Sequence, residues 1–594
     1  MSKSQNNKQI SRRHFISLAG GAAGMAALAS KGIAMGWGDN VPELDPEQLD
    51  HQEHDTDVLI IGGGMAGLFA AVKAHDAGAK TLLVSKGRLG ASGQTPFAKG
   101  IFAFDPANEN LSLDEFVKQV SLSAMGTNNP VFTRQMAEHS LARVNELKEW
   151  GFFDSPLYNK SFSKPLKERQ IPLMERIHIT HLIKENGRIA GAAGFSLDEE
   201  KIHLFRAKSV ILCTGAGGFK PNGFPICDLT HDGTVMAYNI GAKVTGKEWN
   251  DGHPGQATNP AACFDGWHGM FEKKPDVTGV GIRHDLGVDT NYQAYIVGNP
   301  LSRGPGQDRN RKLNGGPQRP EGLQEMGGRG PGPGGEGQKG PGGPGGDAPD
   351  KAGGKPEGPP PGMRGSAVGG SSAGMAIHKA EGLVPINDSC ESNIPGLYAA
   401  GDALGSYMAG GIYTQIGSSL AGSAVQGAVA AEAAASYCSE RELVLIPEVR
   451  RKEIQEEILA PLKREAGYGP AWVTQTLQGI MIPNFILYIK KENLLQAALA
   501  YIEELRDHHM PLLRAADMHE LRLVFETTNM ILSAEMKLRA SLMRTESRCS
   551  HYRLDYPKVD EESWRAWINI YKGKDGSMQL EKQPWDSWPS QKKS

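Results

Sequence analysis

The chain has 594 residues, too many for one hydrophobic core to organise, so two or three domains are expected. With 64 Lys and Arg against 67 Asp and Glu the formal net charge is −3, and no basic stripe runs through the body of the chain, which sets nucleic acid aside as a partner. Six cysteines, Cys213, Cys227, Cys263, Cys390, Cys438 and Cys549, lie far apart without a C-x-x-C or C-x-x-C-H pattern, which argues against an iron–sulfur cluster, a structural zinc or covalent haem and predicts no metal site.

Residues 1–35 read as a targeting segment outside the fold. Ser11-Arg12-Arg13-His14-Phe15-Ile16 carries a twin arginine, followed by the weakly apolar, Gly/Ala-rich run Leu18 to Ala29. That run is shorter than the ~20 residues a membrane span needs. Twin-arginine export would involve its translocase as a partner and deliver a folded protein to the periplasm or the extracytoplasmic face of the membrane. A basic N-terminal helix is the alternative.

Asp57 to Lys86 predicts a strand, a glycine turn, a helix and a second strand. Val58 to Ile61 is a short β-branched run suited to a buried parallel strand. Gly62-Gly63-Gly64-Met65-Ala66-Gly67 then fits G-x-G-x-x-G. The first glycine allows a tight turn, the second lets backbone approach a pyrophosphate, and the third lets helix pack on strand. Phosphate oxygens would lie on the free N–H groups of the helix start. Gly78 is placed to end the helix, and Thr81 to Val84 form the second strand. That strand ends in Ser85-Lys86 where an NAD site would carry Asp or Glu for the ribose, which weakens the case for NAD. A polar glycine-rich loop, including Ala91, Ser92, Gly93 and Gln94, follows.

Leu113 to Phe152 has helical periodicity with a stop at Gly151. Ile189 to Gly194, Lys201 to Phe205 and Ser209 to Thr214 read as a small antiparallel meander, the last strand running into Gly215 to Gly218 and hence towards a ligand or a tight turn. Asp232 opens a helix ending near Gly241. More than half of residues 304–362 are Gly or Pro without the collagen period, a composition expected to be disordered or extended. Ile394 to Ala400 predicts another buried strand, ending in Gly401-Asp402, and Ser418 to Ser436 an Ala-rich buried helix. From about Pro447 roughly three long amphipathic helices are expected before Arg544. The charge-dense closing segment Arg544 to Pro557 reads, taken alone, as a salt-bridged surface.

Together these pieces resemble the flavoprotein family of fumarate reductases, succinate dehydrogenases, adenylylsulfate reductases and L-aspartate oxidases. The resemblance rests on the Gly62 unit with its Ser85-Lys86 ending, the Asp232-Gly233 helix, the strand Ile394 to Asp402, and Glu546-Ser547-Arg548 to Pro557. It implies an α/β fold: a Rossmann-like FAD-binding domain with a parallel sheet and small β-meander, a reduced or disordered capping region, and a C-terminal helical domain. The expected divisions are 55–250 and 363–440 for the two parts of the FAD domain, 251–303 for the capping region, 304–362 for the insert and 447–594 for the helical domain and tail. FAD would lie on Gly62 to Gly67, on Ser85, Lys86 and the loop Ala91 to Gln94, and near Gly215, with Asp232 near the flavin, Asp402 beside the ribityl chain and Ser418, Ser419 and Leu420 at the flavin's pyrimidine edge. A helix start there would favour negative charge on the reduced ring. Gly93-Gln94 stand where respiratory members carry the histidine that links covalently to flavin, so the cofactor is expected to be non-covalent.

The catalytic half departs from the family. His253-Pro254 resembles its His-Pro substrate motif, but the second histidine would fall at about Gly365 and is absent, and the family arginine after Asp402 falls near Tyr413. Arg283, Arg303 and Arg364 are nearby cations able to substitute for it. Without a fork of arginines a four-carbon dicarboxylate would be desolvated with too few partners. The expectation is therefore reduction of an activated C=C bond in a substrate other than fumarate, with His253 and Tyr413 or an arginine orienting and protonating it. Electrons would come from a separate redox partner, either a cytochrome or a membrane subunit that oxidises quinol. The alternatives are a dehydrogenase acting oxidatively on C–C or C–N bonds and an electron-transfer flavoprotein without its own substrate.

Overall fold

The computed structural model of the protein describes residues 46, 48–107, 109–220, 226, 228–250, 255–256, 272–283, 367–368 and 379–588. Residues 1–35, His253, Arg303, the Gly/Pro insert 304–362, Arg364 and Gly365 lie outside the described residues. From Gln48 onward the chain forms one compact unit.

Its centre is a seven-stranded sheet. β1 (Asp50–Ile61) runs into α1 (Met65–Asp76) and returns as β2 (Thr81–Ser85). β3 (Gly100–Phe102), α2 (Leu113–Ser123), α3 (Pro130–Glu149) and α4 (Asn159–Glu168) follow. β4 (Leu173–Glu175), β5 (Ile177–Glu185), β6 (Arg188–Ser196) and β7 (Lys201–Leu212) then complete most of the sheet. β1 lies between β2 and β7 and is parallel to both. β4 extends the β2 edge, and β5–β6–β7 form an antiparallel meander. The sequence divides β7 in two between Phe205 and Ser209, whereas the structure makes it one strand of 12 residues. Its first half holds β6 and its last three residues hold a later strand, so the change of partner marks the apparent break.

After β7 come α5 (Asp232–Asn239), β8 (Val244–Thr245), β9 (Asp276–Thr278), which pairs with β3, and β10 (Gly382–Leu383). β11 (Leu397–Ala399) joins Val210–Leu212 in parallel, and α6 (Ser418–Ser439) follows. The residues of β1, β2, β7 and β11, with the apolar sides of α1 and α6, make the main core; Val58, Leu83, Ile211 and Leu397 are fully buried. The carboxyl ends of the parallel strands, Ile61, Ser85, Leu212 and Ala399, therefore open in one direction, where ligands of such sheets bind.

The C-terminal part has four long helices where the sequence suggests about three: α7 (Glu448–Leu459), α8 (Pro470–Met481), α9 (Glu492–Glu504) and α10 (Met518–Met543). Asp517 caps α10 by accepting the Glu520 N–H at 2.8 Å. Beyond it β12 (Ala566–Lys572) and β13 (Met578–Pro584) form a hairpin whose inner strand pairs with β8, giving a second sheet in the order β10–β8–β12–β13. No described helix is long and apolar enough to cross a membrane.

Candidate functional site

A cavity lies at the carboxyl ends of β1, β2 and β7, where ligands of such sheets bind. Of the expected contacts, Gly62, Gly63, Gly64, Met65, Ala66, Ser85, Lys86, Ser92, Gly93, Gln94, Gly215, Asp232 and Asp402 line it. Gly67 lies behind this wall. A Cβ there would stand 1.8 Å from the Gly62 carbonyl oxygen, and one on Gly62, which has φ +119°, would stand 2.1 Å from the Cys213 carbonyl. Any side chain at either position would push α1 off the strands, so the turn at the helix start stays tight and its N–H groups face the cavity. Thr95 secures it by accepting the Met65 N–H at 3.2 Å. Ala91 is exposed, and Ala91, Ser418, Ser419 and Leu420 are not among the lining residues.

Lys86 lines the cavity but spends its ammonium on protein. Nζ donates to Asp232 Oδ2 (2.6 Å), Glu526 Oε1 (3.0 Å) and Thr230 Oγ1 (3.1 Å). Asp232 is gripped again at Oδ1 by Thr230 (2.8 Å) and Asn529 Nδ2 (2.9 Å), and Glu526 pairs with Lys220. Burial opposes ionisation of Asp232, yet the Lys86 charge outweighs it and holds the carboxyl well below the usual range. Lys86, penalised by burial but facing two carboxylates, is held above the ordinary lysine value. Lys86 therefore acts by fixing Asp232. Glu526 and Asn529 escape a sequence reading because Glu526 is 440 residues from Lys86. Their only signal is that Glu526, Asn529, Ser533 and Lys537 fall on one helical stripe, and all four are buried.

On the opposite side Asp402 lines the cavity, and Lys379, fully buried, donates from Nζ to Asp402 Oδ1 (2.5 Å) and Ser423 Oγ (2.7 Å). Burial lowers the Lys379 pKa despite that carboxylate. Sequence reasoning misses Lys379, since nothing near it in the chain marks it. Tyr413 precedes α6 by five residues and is not among the lining residues; its hydroxyl oxygen accepts the Gly417 N–H, just before the helix start, at 3.0 Å. Burial pushes its phenol pKa up, so it stays protonated at neutral pH. Arg283 is brought near by its backbone N–H, which donates to Thr414 O at 2.8 Å.

The closing charged segment is interior, contrary to the surface expected. Arg544, Glu546, Arg548, His551 and Arg553 are all fully buried. Arg544 pairs with Glu248 and Glu546 while its guanidinium stacks over Trp249 and Trp564. Lys490 Nζ bonds the Glu248 carbonyl (2.6 Å) and His551 Nδ1 (2.9 Å). Lys537 Nζ donates to Lys247 O (2.9 Å), Trp249 O (2.8 Å) and Asn250 Oδ1 (2.8 Å). The result is a rigid clamp on Lys247–Asn250. A surface reading fails because pairing within the segment is not visible as burial until Trp249, Trp564 and β12 cover it. Among the described residues no group of His, Cys, Asp or Glu is placed to hold a metal ion.

FAD fits this cavity. The glycine turn brings backbone N–H groups to the cavity wall with no side chain of Gly62, Gly63 or Gly64 in the way of a pyrophosphate, and His178, a buried lining residue, has both ring nitrogens without a hydrogen-bond partner inside the protein.

Comparison with known proteins agrees. Residues 57–160 match the model described as FAD binding domain, and residues 474–593 match the one described as fumarate reductase flavoprotein C-term. An uncharacterized FAD-dependent oxidoreductase of Methanocaldococcus jannaschii is 26% identical over 580 residues, covering 87% of this chain and 96% of the relative. One subunit of the CoM/CoB fumarate reductase of Methanothermobacter marburgensis is 25% identical over 567 residues, covering 88% of this chain and 98% of the relative. Among solved structures, the Mycobacterium smegmatis Sdh1 complex gives a TM-score of 0.65 at 21% identity, covering 90% of this chain and 94% of that one, which shows a shared fold. The two family models, one at each end of the chain, and relatives aligned nearly end to end place the protein in the FAD-dependent fumarate reductase and succinate dehydrogenase flavoprotein family, as an FAD-dependent oxidoreductase.

Proposed function

We propose that this enzyme is exported by the twin-arginine route and reduces an activated C=C bond of a substrate other than fumarate. When bound, FAD supplies hydride transfer from its N5. Gly62 to Gly67 hold the pyrophosphate, Asp232, fixed by Lys86 at the end of β2, and Asp402, beside the ribityl chain, line the cofactor's cavity, and the absence of a histidine at Gly93-Gln94 leaves the flavin non-covalent, so that acid precipitation releases all of it. The single observation that carries the direction is Tyr413: its phenol, pushed up by burial and protonated at neutral pH, with its oxygen accepting the Gly417 N–H, has a proton to give to the carbon next to the one that accepts hydride. His253, with Arg303 or Arg364, orients the substrate in this reading. Missing arginines speak against a dicarboxylate. Electrons arrive from a separate protein, in keeping with relatives that are named as subunits.

The test is anaerobic turnover of a panel of enoates and enones with reduced viologen and, separately, with NADH. The expected result is enoate reduction with viologen alone, and a loss of ~10²-fold or more in kcat for Tyr413→Phe. Equal rates with NADH, or an unaffected Tyr413→Phe, would sink the proposal. A second reading, reduction of fumarate itself, is favoured by the end-to-end likeness to a protein named fumarate reductase. Fumarate in the same panel separates the two.

A further inference from the structure

His178 is a buried polar residue of the cavity that no cofactor contact yet uses. It is 1% exposed, and neither Nδ1 nor Nε2 has a hydrogen-bond partner. Nε2 stands 3.6 Å from Asp232 Oδ2, beyond hydrogen-bond distance though within ion-pair reach when the ring is protonated. The ring is held between Phe195 (centroids 5.5 Å) and the edge of Phe525 (6.3 Å), so its orientation is set by packing. Leaving such a group unsatisfied in the interior costs about 1–3 kcal/mol, and an apolar ring would fill the same space without that cost. A polar ring kept in that place, lining a cavity, points to a ligand.

Topology says which part of the ligand. The Gly62–Gly67 turn takes the pyrophosphate, and in such units the ribose of the nucleotide half lies at the end of the second strand. That strand is β2, ending at Ser85, whose register partner is Glu175 of β4. Only Arg176 separates β4 from β5, so His178 is three residues from the partner of Ser85. Asp402 and α6 follow β11, which β1 and β7 separate from β2. We propose that His178 is a cofactor-binding residue whose imidazole nitrogens hydrogen-bond the adenosine half of FAD and thereby make the cavity select the dinucleotide over FMN.

The experiment uses full-length protein freed of flavin and titrated with FAD and with FMN. His178→Phe should weaken FAD by ~10-fold, the worth of one buried hydrogen bond, and leave FMN binding unchanged. Its cofactor-free melting temperature should equal or exceed that of the wild type, because the unsatisfied imidazole is gone. His178→Gln, which keeps a donor and an acceptor, should bind FAD within ~3-fold of the wild type. A residue that merely supports the fold would do the reverse, lowering the cofactor-free melting temperature and weakening both flavins together. Equal losses for FAD and FMN, unchanged FAD affinity in His178→Phe, or a wild type that does not discriminate the two flavins would each overturn the assignment.

Discussion

Lys537 makes stability rise with pH where most proteins are flat or falling. Its ammonium is fully enclosed, bonded to two backbone carbonyls and Asn250 Oδ1, and feels the charges of Glu381, Lys247 and Glu248. Burial is the leading cause and brings its pKa to about 8. An unfolded lysine titrates near ~10.4. Folding thus disfavours the charged form. Between pH 8 and ~10.4 the unfolded chain keeps a proton that the folded chain has released, so the folded state gains with rising pH across that window and the gain is absent below it. The whole interval is worth ~3 kcal/mol, of which ~2 kcal/mol is recovered by pH 9.5. Spread over roughly 540 residues at ~2.1 cal/mol/K each, that raises Tm by ~2 °C. Lys537→Met has no proton to release. Thermal unfolding of both proteins at pH 7.5 and 9.5, followed by tryptophan fluorescence, should show the wild-type advantage growing by ~2 °C at the higher pH. A constant or shrinking advantage would refute the argument.

Three further outcomes follow from the same geometry. Gly67→Ala puts a methyl 1.8 Å from the Gly62 carbonyl, and the resulting displacement of α1 should cost at least ~10-fold in FAD affinity, read from the flavin-to-protein absorbance ratio of purified protein; full flavin content would show that the turn can relax. Glu526→Gln leaves Lys86 and Lys220 facing each other's charge in the interior and should destabilise by ~3 kcal/mol at pH 7 in denaturant unfolding. Because the folded Glu526 carboxyl titrates below its ordinary value, that stabilisation is present above ~4.3 and lost as pH falls through the folded pKa, so the two proteins should converge in acid. Arg12→Lys with Arg13→Lys should leave the protein in the cytoplasm on cell fractionation, and unchanged periplasmic delivery would remove the export proposal.

What is legible in the sequence is what is local. The Gly62 turn, its flanking strands, the Gly78 stop and the Ala-rich α6 each depend on residues within one short stretch, where periodicity and glycine chemistry decide the outcome. The continuous β7 reads as two strands because it serves two neighbours in turn. Distance hides the rest. The Lys86–Asp232–Glu526 cluster joins three elements, and Arg544 to Arg553 reads as surface until Trp249, Trp564 and β12 close over it. The β12–β13 hairpin escapes for the same reason, since β8, its partner, is only two residues long. His178 shows the limit most plainly: a histidine in a strand carries no sign in sequence that both its nitrogens will be left open beside a cavity.

The span of the Lys86–Glu526 pair, 440 residues, also bears on how the enzyme is made. On a chain emerging from the ribosome, Lys86 and Asp232 are present long before α10, and until Glu526 and Asn529 arrive their charges are met by each other, Thr230 and His178. β8 can pair with β10 early, but its other edge must likewise wait for β12. The cofactor cavity can therefore form its glycine floor early but can complete its charged wall only when synthesis is nearly finished. Nascent chains halted before α10 should hold nucleotide loosely and be the natural substrates of proteases and chaperones, so that the last helix and hairpin act as the step that commits the protein to its cofactor.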